Sequence, residues 1–393
     1  MPPFAAFSSP HLGDHLLERL RALADAARLR ARPGRKPRVL IVPGLPGTTL
    51  GRRGRVIDDT VWFCPEIPGR LVELAVEPGA PPLEPLTVMP AIYGQLKLRL
   101  VLAGYDVDDH PFDWRKSLDE LGAQLAVRLA AEEGEVQLVA HSFGGLVCRA
   151  AIAAGALNVG KVIMLGTPNH GSWATVQGLR GRHWLLRALA ELQVARTAED
   201  LATQIFNTFP SVYDQLPTRA MGGAVDLYDP EAWPVTGPRP RAELLARAPG
   251  VQDWVAQARG RFTVIAGHGV PTVERVEKNG EVFRYGRTTD GDGWVTARGA
   301  ALDDAPCYFT TAAHLAMTND GTVLSAVVDL LAHDTTALLP VSRPEGAPLA
   351  DQVDAAPGEH QDADLDSAEL RDAVEQVLGI GAARALASRL LQE

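Results

Sequence analysis

The sequence predicts an α/β protein built on a mostly parallel central sheet. Three observations carry that reading. Short apolar runs recur at Val39–Val42, Val136–Ala140, Lys161–Leu165 and Phe262–Ala266. Helical periodicity fills much of the chain between them, at Ile92–Gly104, Leu118–Ala131 and Leu146–Ala154. Strands alternating with helices of this length form parallel sheets, because the chain must cross over before it pairs again. Finally, the run Val136–Ala140 stops at His141-Ser142-Phe143-Gly144-Gly145 and a helical pattern follows at once. That order is strand, sharp turn and helix with a serine at the apex, the context in which a serine hydroxyl stands exposed above a sheet edge. Ala140 occupies the first position of the G-x-S-x-G pattern and is small enough for it.

Taken in order, residues 14–31 read as a helix, with Leu16, Leu20, Leu23 and Ala27 at helical spacing. A basic cluster follows, Arg28, Arg30, Arg32, Arg35, Lys36 and Arg38. Residues 1–35 are therefore expected to be an N-terminal amphipathic helix with a basic linker, a solvated helix end. Contact with an anionic membrane or a protein partner is the sharper alternative. The strand Val39–Val42 opens the first part of the core, residues 36–170, and runs into Pro43-Gly44-Leu45-Pro46-Gly47. Residues 51–70 form a Gly/Pro-punctuated loop centred on Val61-Trp62-Phe63. An apolar loop centre is costly to leave in water, so this loop is expected to be a mobile lid that covers an acyl pocket or meets lipid. The plainer alternative keeps Trp62 fixed in the core. A helix over 92–104, a strand over Tyr105–Phe112 and a helix over 118–131 lead to the serine turn and the strand at 161–165.

Residues 171–260 break the rhythm. They read as largely helical, with Trp173, Trp184, Leu185, Leu186, Trp233 and Trp254 scattered through them, and are expected to be a cap inserted over the sheet. The second part of the core, residues 261–340, resumes at Phe262–Ala266. It holds a hairpin of Val273–Val276 with Val282–Tyr285, and Asn279-Gly280 predicts a type I′ turn. Residues 306–310 read as the last strand and 321–332 as the last helix. The Pro-, Ala-, Asp- and Gly-rich stretch 341–366 reads as a flexible linker. Asp366-Ser-Ala-Glu369 resembles a capping box that opens a C-terminal helix over 367–393. No internal repeat is present.

A chain of 393 residues holds one large α/β domain with insertions, or two average domains. With 46% hydrophobic residues a sizeable core is available, and a net charge of −10 argues against general nucleic-acid binding. Cys64, Cys148 and Cys307 are odd in number and widely spaced, so they predict neither a metal site nor a disulfide framework. Nothing implies a cofactor. Asp14, His15, Glu18, Arg19 and Arg21 interrupt any apolar leader, and no run of 18 apolar residues predicts a membrane span. A cytoplasmic location is the simplest expectation.

Ser142 is a weak nucleophile until a general base activates it. In a doubly wound hydrolase the acid and base follow the serine, on loops after later strands. His314, His333 and His360 follow it. His360 falls in the expected linker and His333 ends the last helix, whereas His314 lies between the last strand and the last helix. His314 is thus the candidate base. Asp290-Gly-Asp292-Gly-Trp294 offers two acids, and Asp292 is favoured because flanking glycines let the backbone aim its carboxylate. Its role would be to accept the His314 ring N–H. The backbone N–H groups of Leu45 and Phe143 are the candidate oxyanion donors. Losing one such donor costs about 10²–10³ in rate. Asn169 and His170 border the expected site and would touch an acyl group or headgroup, or only shape the loop. Asp113 and Arg115 are read as structural.

Several segments, in the same order, resemble the lecithin:cholesterol acyltransferase-like group of α/β-hydrolases, which includes lysosomal phospholipase A2-type enzymes and phospholipid:diacylglycerol acyltransferases. They are Val42–Thr48, Phe112-Asp-Trp-Arg115, Ala140–Gly145, Leu165–Ser172, Phe209–Pro217, Gly291-Asp-Gly293 and Ala313-His314, spanning about residues 37 to 332. The resemblance implies an α/β-hydrolase fold with a helical cap and lid loop. It implies a triad of Ser142, Asp292 and His314 and an oxyanion hole at Leu45 and Phe143. It sets the loop of Trp62 where the family's lid meets lipid. The sequence departs from the family in three places. Cys64 has no partner nearby for the lid disulfide of secreted members, no signal peptide is visible, and Trp294 stands where the family has threonine.

The leading reading is a serine hydrolase of acyl esters, of lipase, phospholipase or esterase type, working through a covalent acyl-serine. An acyltransferase that passes the acyl group to an alcohol shares the first half-reaction. A reading of another class is a partner-docking protein that uses its C-terminal helix, with hydrolysis secondary or lost.

Overall fold

The computed structural model describes residues 36–62, 67–191 and 196–354. Its centre is a six-stranded sheet made of β1 (Arg38–Val42), β5 (Asp106–Asp109), β6 (Val136–His141), β7 (Val159–Leu165), β8 (Arg261–Gly267) and β11 (Cys307–Thr310). The spatial order is β11-β8-β7-β6-β1-β5, and every pairing is parallel. The expected mostly parallel sheet of an α/β-hydrolase fold is therefore present, with helices on both faces.

Period-2 alternation splits each central strand between two cores. Leu40, Val42, Leu138, Ala140, Val162, Met164, Val264 and Ala266 face one core. The helices α2 (Leu118–Ala130) and α3 (Phe143–Ala153) close it with Leu121, Leu125, Val147 and Ala151. Val39, Ile41, Val139, Ile163, Leu165 and Ile265 face the other. There α1 (Pro90–Leu102) and α9 (Gly321–His333) supply Tyr93, Leu96, Val327 and Leu330. A sheet buried on both faces reads as continuous apolar runs, which is why these strands were visible in sequence.

Between β7 and β8 the chain builds the helical cap. Its helices are α4 (Ala174–Leu179), α5 (Trp184–Glu191), α6 (Ala198–Gln204), α7 (Pro210–Asp214) and α8 (Ala242–Val255). Thr197 and Asp200 form a reciprocal capping box at the start of α6. Among the described residues no helix is long and apolar enough to cross a membrane.

Four expectations change. The stretch 51–70 is partly a small antiparallel sheet rather than a free loop: β2 (Thr48–Arg52) pairs with β3 (Asp59–Trp62) and with β4 (Glu84–Val88). Trp62 is only 2% exposed, donates its indole N–H to the Pro46 carbonyl at 2.9 Å and packs edge-on against Trp114. Burial of the consecutive Val61 and Trp62 at the end of β3 replaces the exposed loop centre; Val56 and Ile57 at the hairpin tip face solvent instead. The hairpin of β9 (Thr272–Asn279) and β10 (Val282–Thr288) turns on Gly280-Glu281. Gly280 has φ 61° and Asn279 stays at negative φ, so the type I′ expectation fails. The strand expected over 105–112 is confined to Asp106–Asp109; beyond it the His110 N–H donates to the Ile41 carbonyl of β1 at 2.9 Å and the Phe112 N–H to Thr48 Oγ1 of β2 at 3.4 Å. Finally, the expected linker 341–366 contains β12 (Pro348–Val353), which adds to the edge of β10. The expected helix of residues 1–35 and the C-terminal helix 367–393 lie outside the described residues. Arg38, last of the basic cluster, is engaged with Asp106, Asp108 and Glu132.

The end of β12 is fixed by a buried carboxylate. Asp354 takes Arg180 Nε at 3.3 Å, Arg182 Nε at 3.4 Å and the Tyr285 hydroxyl at 2.9 Å. This joins the tail, the hairpin and α4 of the cap. Composition gave no hint of it, because a strand that needs a partner edge and buried arginines is not a local property. Replacing Asp354 with alanine strands the Arg180 guanidinium and should destabilise the protein by about 3 kcal/mol. Equilibrium urea unfolding checks this; a loss under about 1 kcal/mol would show that the strap contributes little.

Candidate active site

Ser142 sits between β6 and α3 with φ 53° and ψ −127°. Its N–H donates to the Leu165 carbonyl of β7 at 2.8 Å, which fixes the turn on the sheet. Two glycines make the turn possible. A Cβ on Gly144 would lie 2.3 Å from the Val42 carbonyl oxygen, and one on Gly145 would lie 2.0 Å from Thr167 Oγ1. Only glycine lets α3 start this close to β1 and the loop after β7.

The loops after β10 and β11 bring the other two groups. His314 Nε2 is 2.8 Å from Ser142 Oγ, and His314 Nδ1 is 2.8 Å from Asp292 Oδ2. The second oxygen of Asp292 accepts the Trp294 and Val295 N–H groups at 2.9 and 2.7 Å. The His314 N–H bonds the Asp292 carbonyl at 2.9 Å, so acid and base are also joined through the backbone. Asp290, the other acid considered, is turned away and paired with Arg343. Among the later histidines His333 ends α9, and His360 lies outside the described residues.

A second set of contacts ties three loops together. Gly44 N–H donates to the Tyr93 hydroxyl at 2.8 Å. That hydroxyl can then donate to His141 Nδ1, 3.0 Å away, leaving His141 Nε2–H to donate to the His314 carbonyl at 3.0 Å. The first oxyanion loop, the serine turn and the base loop thus share one buried network. Burial, followed by the nearby His314, pushes the His141 imidazole down to about 3, which keeps it neutral. Among the described residues no protein group accepts the N–H of Leu45 or Phe143, and Phe143 opens α3. The Phe143 N–H lies at the positive end of that helix.

A cleft opens on Ser142, His314 and Leu45, with Trp294, His183 and Leu186 in its walls. A neighbouring cavity is lined only by apolar groups, including Trp62, Trp114 and Phe209. Leu45, Leu185, Leu186 and Phe206 border both.

Of the residues singled out in sequence, Ser142, His314, Asp292, Leu45 and Phe143 come together. Trp62 borders the adjacent cavity. Asn169 and His170 border neither of these two cavities, and of the two roles expected for them the contacts of Asn169 favour shaping the loop. The Asn169 side chain takes Arg149 at 3.1 Å and donates to the Ala300 carbonyl at 2.8 Å, locking the loop instead. Asp113 and Arg115 form a buried pair at 2.7 Å, and Arg115 also holds the Leu74 carbonyl at 3.0 Å. Sequence reasoning missed Tyr93, His141, His183 and Phe206 as site residues, whereas Trp294 was already set beside the acid as a departure from the family. His141 stood inside the serine motif, but Tyr93, His183 and Phe206 carried no local signal.

The fold is of the α/β-hydrolase class, and Ser142, His314 and Asp292 lie within hydrogen-bond reach of one another in it. Residues 87–233 match the family model described as lecithin:cholesterol acyltransferase, so this part of the chain is similar to that family. No curated protein matches it. Among solved structures it is similar to the Bacillus licheniformis lipase BlEst2 in mature form, at 16% identity and TM-score 0.43, covering 78% of this chain and 95% of that one. The propeptide form of the same lipase is 18% identical with TM-score 0.41, over 77% of this chain and 51% of that one. The Tle4–Tli4 complex contains a chain 13% identical with TM-score 0.40, over 59% and 74%.

Burial lowers His110 to about 4, and His141 and His183 to about 3, all below the usual 6.5. These imidazoles bind fewer protons folded than unfolded. Their contribution to stability is present above about 6.5 and is lost as pH falls toward their folded values. Asp214, raised to about 6 by burial, acts in the opposite sense, its share being lost as pH rises through 6. Stability should therefore fall between pH 6.5 and 4, by on the order of 1 kcal/mol per pH unit for each imidazole. Urea midpoints across that window check it. His183→Phe should flatten the dependence, and an unchanged slope would refute the assignment to His183.

Proposed function

We propose that this chain cleaves long-chain carboxylic esters through a covalent acyl-serine, with Ser142 as nucleophile, His314 as general base and acid, and Asp292 as orienter. The observation that carries the reading is the chain of two 2.8 Å contacts from Ser142 Oγ through His314 to Asp292 at the wall of an apolar cavity. Ser142 Oγ attacks the ester carbonyl carbon while its proton passes to His314 Nε2. The carbonyl oxygen becomes an oxyanion held by the Leu45 and Phe143 N–H groups. Asp292 keeps the ring proton on Nδ1, so that Nε2 faces the serine and the imidazolium is stabilised as it forms. The tetrahedral intermediate expels the alcohol, which leaves with the proton from Nε2. In the second half water gives its proton to His314 and attacks the acyl-Ser142 carbonyl. The acid departs and Ser142 recovers its proton.

An alcohol that replaces water in the second half gives a new ester instead of an acid. The first half is common to both outcomes. The apolar walls favour an aliphatic acyl group, and the neighbouring cavity lets it extend past Leu45 toward Trp62.

Ser142→Ala should lower turnover on a p-nitrophenyl ester by on the order of 10⁶, and His314→Ala in the same protein should add little, since such residues act as a unit. A fluorophosphonate probe should label wild type and fail on Ser142→Ala. Activity of Ser142→Ala within about tenfold of wild type would rule out this nucleophile. Product analysis with and without added alcohol then separates hydrolysis from transfer.

A further inference from the structure

Trp294 is where acid, base, cap and cavity meet. Its ring lies nearly parallel to the His314 imidazole, at 14° with centroids 5.4 Å apart. From the cap, His183 abuts the same ring edge-on at 4.5 Å and Trp184 at 5.9 Å. The backbone is held as well: its N–H donates to Asp292 Oδ1 at 2.9 Å and its carbonyl accepts the Ser172 hydroxyl. A side chain braced on three sides and tied at both backbone groups is a rigid wall.

The wall is on one side only. Trp294 borders the cavity that contains Ser142 and His314, and it does not border the apolar cavity at Trp62. In the chemistry proposed above, His314 Nε2 hands a proton to the departing alcohol and receives one from the incoming water or alcohol. Each of these oxygens must therefore come within hydrogen-bond reach of the imidazole. The alcohol is brought against the ring that Trp294 covers, while the acyl chain has the Trp62 cavity to enter.

We propose that Trp294 is the specificity-determining residue of the alcohol side of this site. Its indole admits slim, unbranched alcohol portions and excludes bulky cyclic ones. The threonine that resembling sequences carry here would leave that space open. This inference rests on the acyl-serine reading and concerns only which alcohol the site accepts.

The test compares two esters with the same octanoyl group, ethyl octanoate and menthyl octanoate, by kcat/KM. Wild type should prefer the ethyl ester strongly. In Trp294→Thr the ethyl-to-menthyl ratio should fall about tenfold or more, the size of effect that pocket volume exerts on selectivity. Trp294→Phe, which keeps an aromatic wall, should hold the ratio near that of wild type. The preference among ethyl esters of different acyl length should not move in either variant. A ratio that changes less than about twofold in active Trp294→Thr overturns the proposal, as does an equal loss on both esters. If Trp294→Thr does not fold, Trp294→Leu carries the same comparison with the same outcomes. Fluorophosphonate labelling keeps the two readings apart. Unlabelled Ser142 in wild type would defeat the acyl-serine mechanism, whereas normal labelling with an unmoved ratio would defeat only the assignment to Trp294.

Discussion

Ser142 occupies a backbone region that residues with side chains avoid, at φ 53° and ψ −127°. Such a conformation costs on the order of 1–3 kcal/mol and persists only where the surroundings impose it. Here they do so from two sides. The Ser142 N–H is taken by the Leu165 carbonyl on β7, and Gly144 and Gly145 press α3 against the carbonyls that end β1 and against Thr167. The sheet order puts β6 between β1 and β7, so both constraints come from immediate neighbours. The two buried cores hold those three strands in register, and the strain is sustained by the packing of much of the domain.

The remaining site depends on the same edge of the sheet. The loops after β1, β6 and β7, and those leading out of β10 and β11, converge there. Tyr93 and His141 link the first oxyanion loop to the carbonyl of His314, and Asp292 is fixed by two backbone donors before it meets the imidazole. Buried polar groups that are fully satisfied in this way rigidify a site, because any displacement leaves one of them unpaired. The cap supplies the apolar walls through Leu185, Leu186 and Phe206. Its connection to the tail through Asp354 explains how a segment with the composition of a linker comes to be a strand.

Much of the sheet was legible because strands buried on both faces must be apolar throughout, and β1, β6, β7 and β8 are. The serine was legible because strand, turn and helix chemistry are all local. The choice of Asp292 over Asp290 rested on two flanking glycines; in the structure Asp292 Oδ2 lies 2.8 Å from His314 Nδ1, and Asp290 pairs with Arg343. The hairpin turn was misread, since Asn279-Gly280 favours one turn by propensity while the strand pairing places Gly280-Glu281 at the bend. Of the two readings of Trp62, packing favours the plainer one, with the ring buried beside the apolar cavity. A short edge strand among glycines and prolines looks like a loop until its partner, β2, is known.

By itself the sequence determined the α/β class, the serine turn and the identities of the groups that meet at it, because each is written in local pattern or in chain order. Only the tertiary structure decided what surrounds them. The Tyr93–His141 network, the Trp294 wall and the loop-locking role of Asn169 each join residues that are far apart in the chain or have no neighbour that signals their part. Their positions follow from how strands and helices pack, and packing is a property of the whole chain rather than of any window in it.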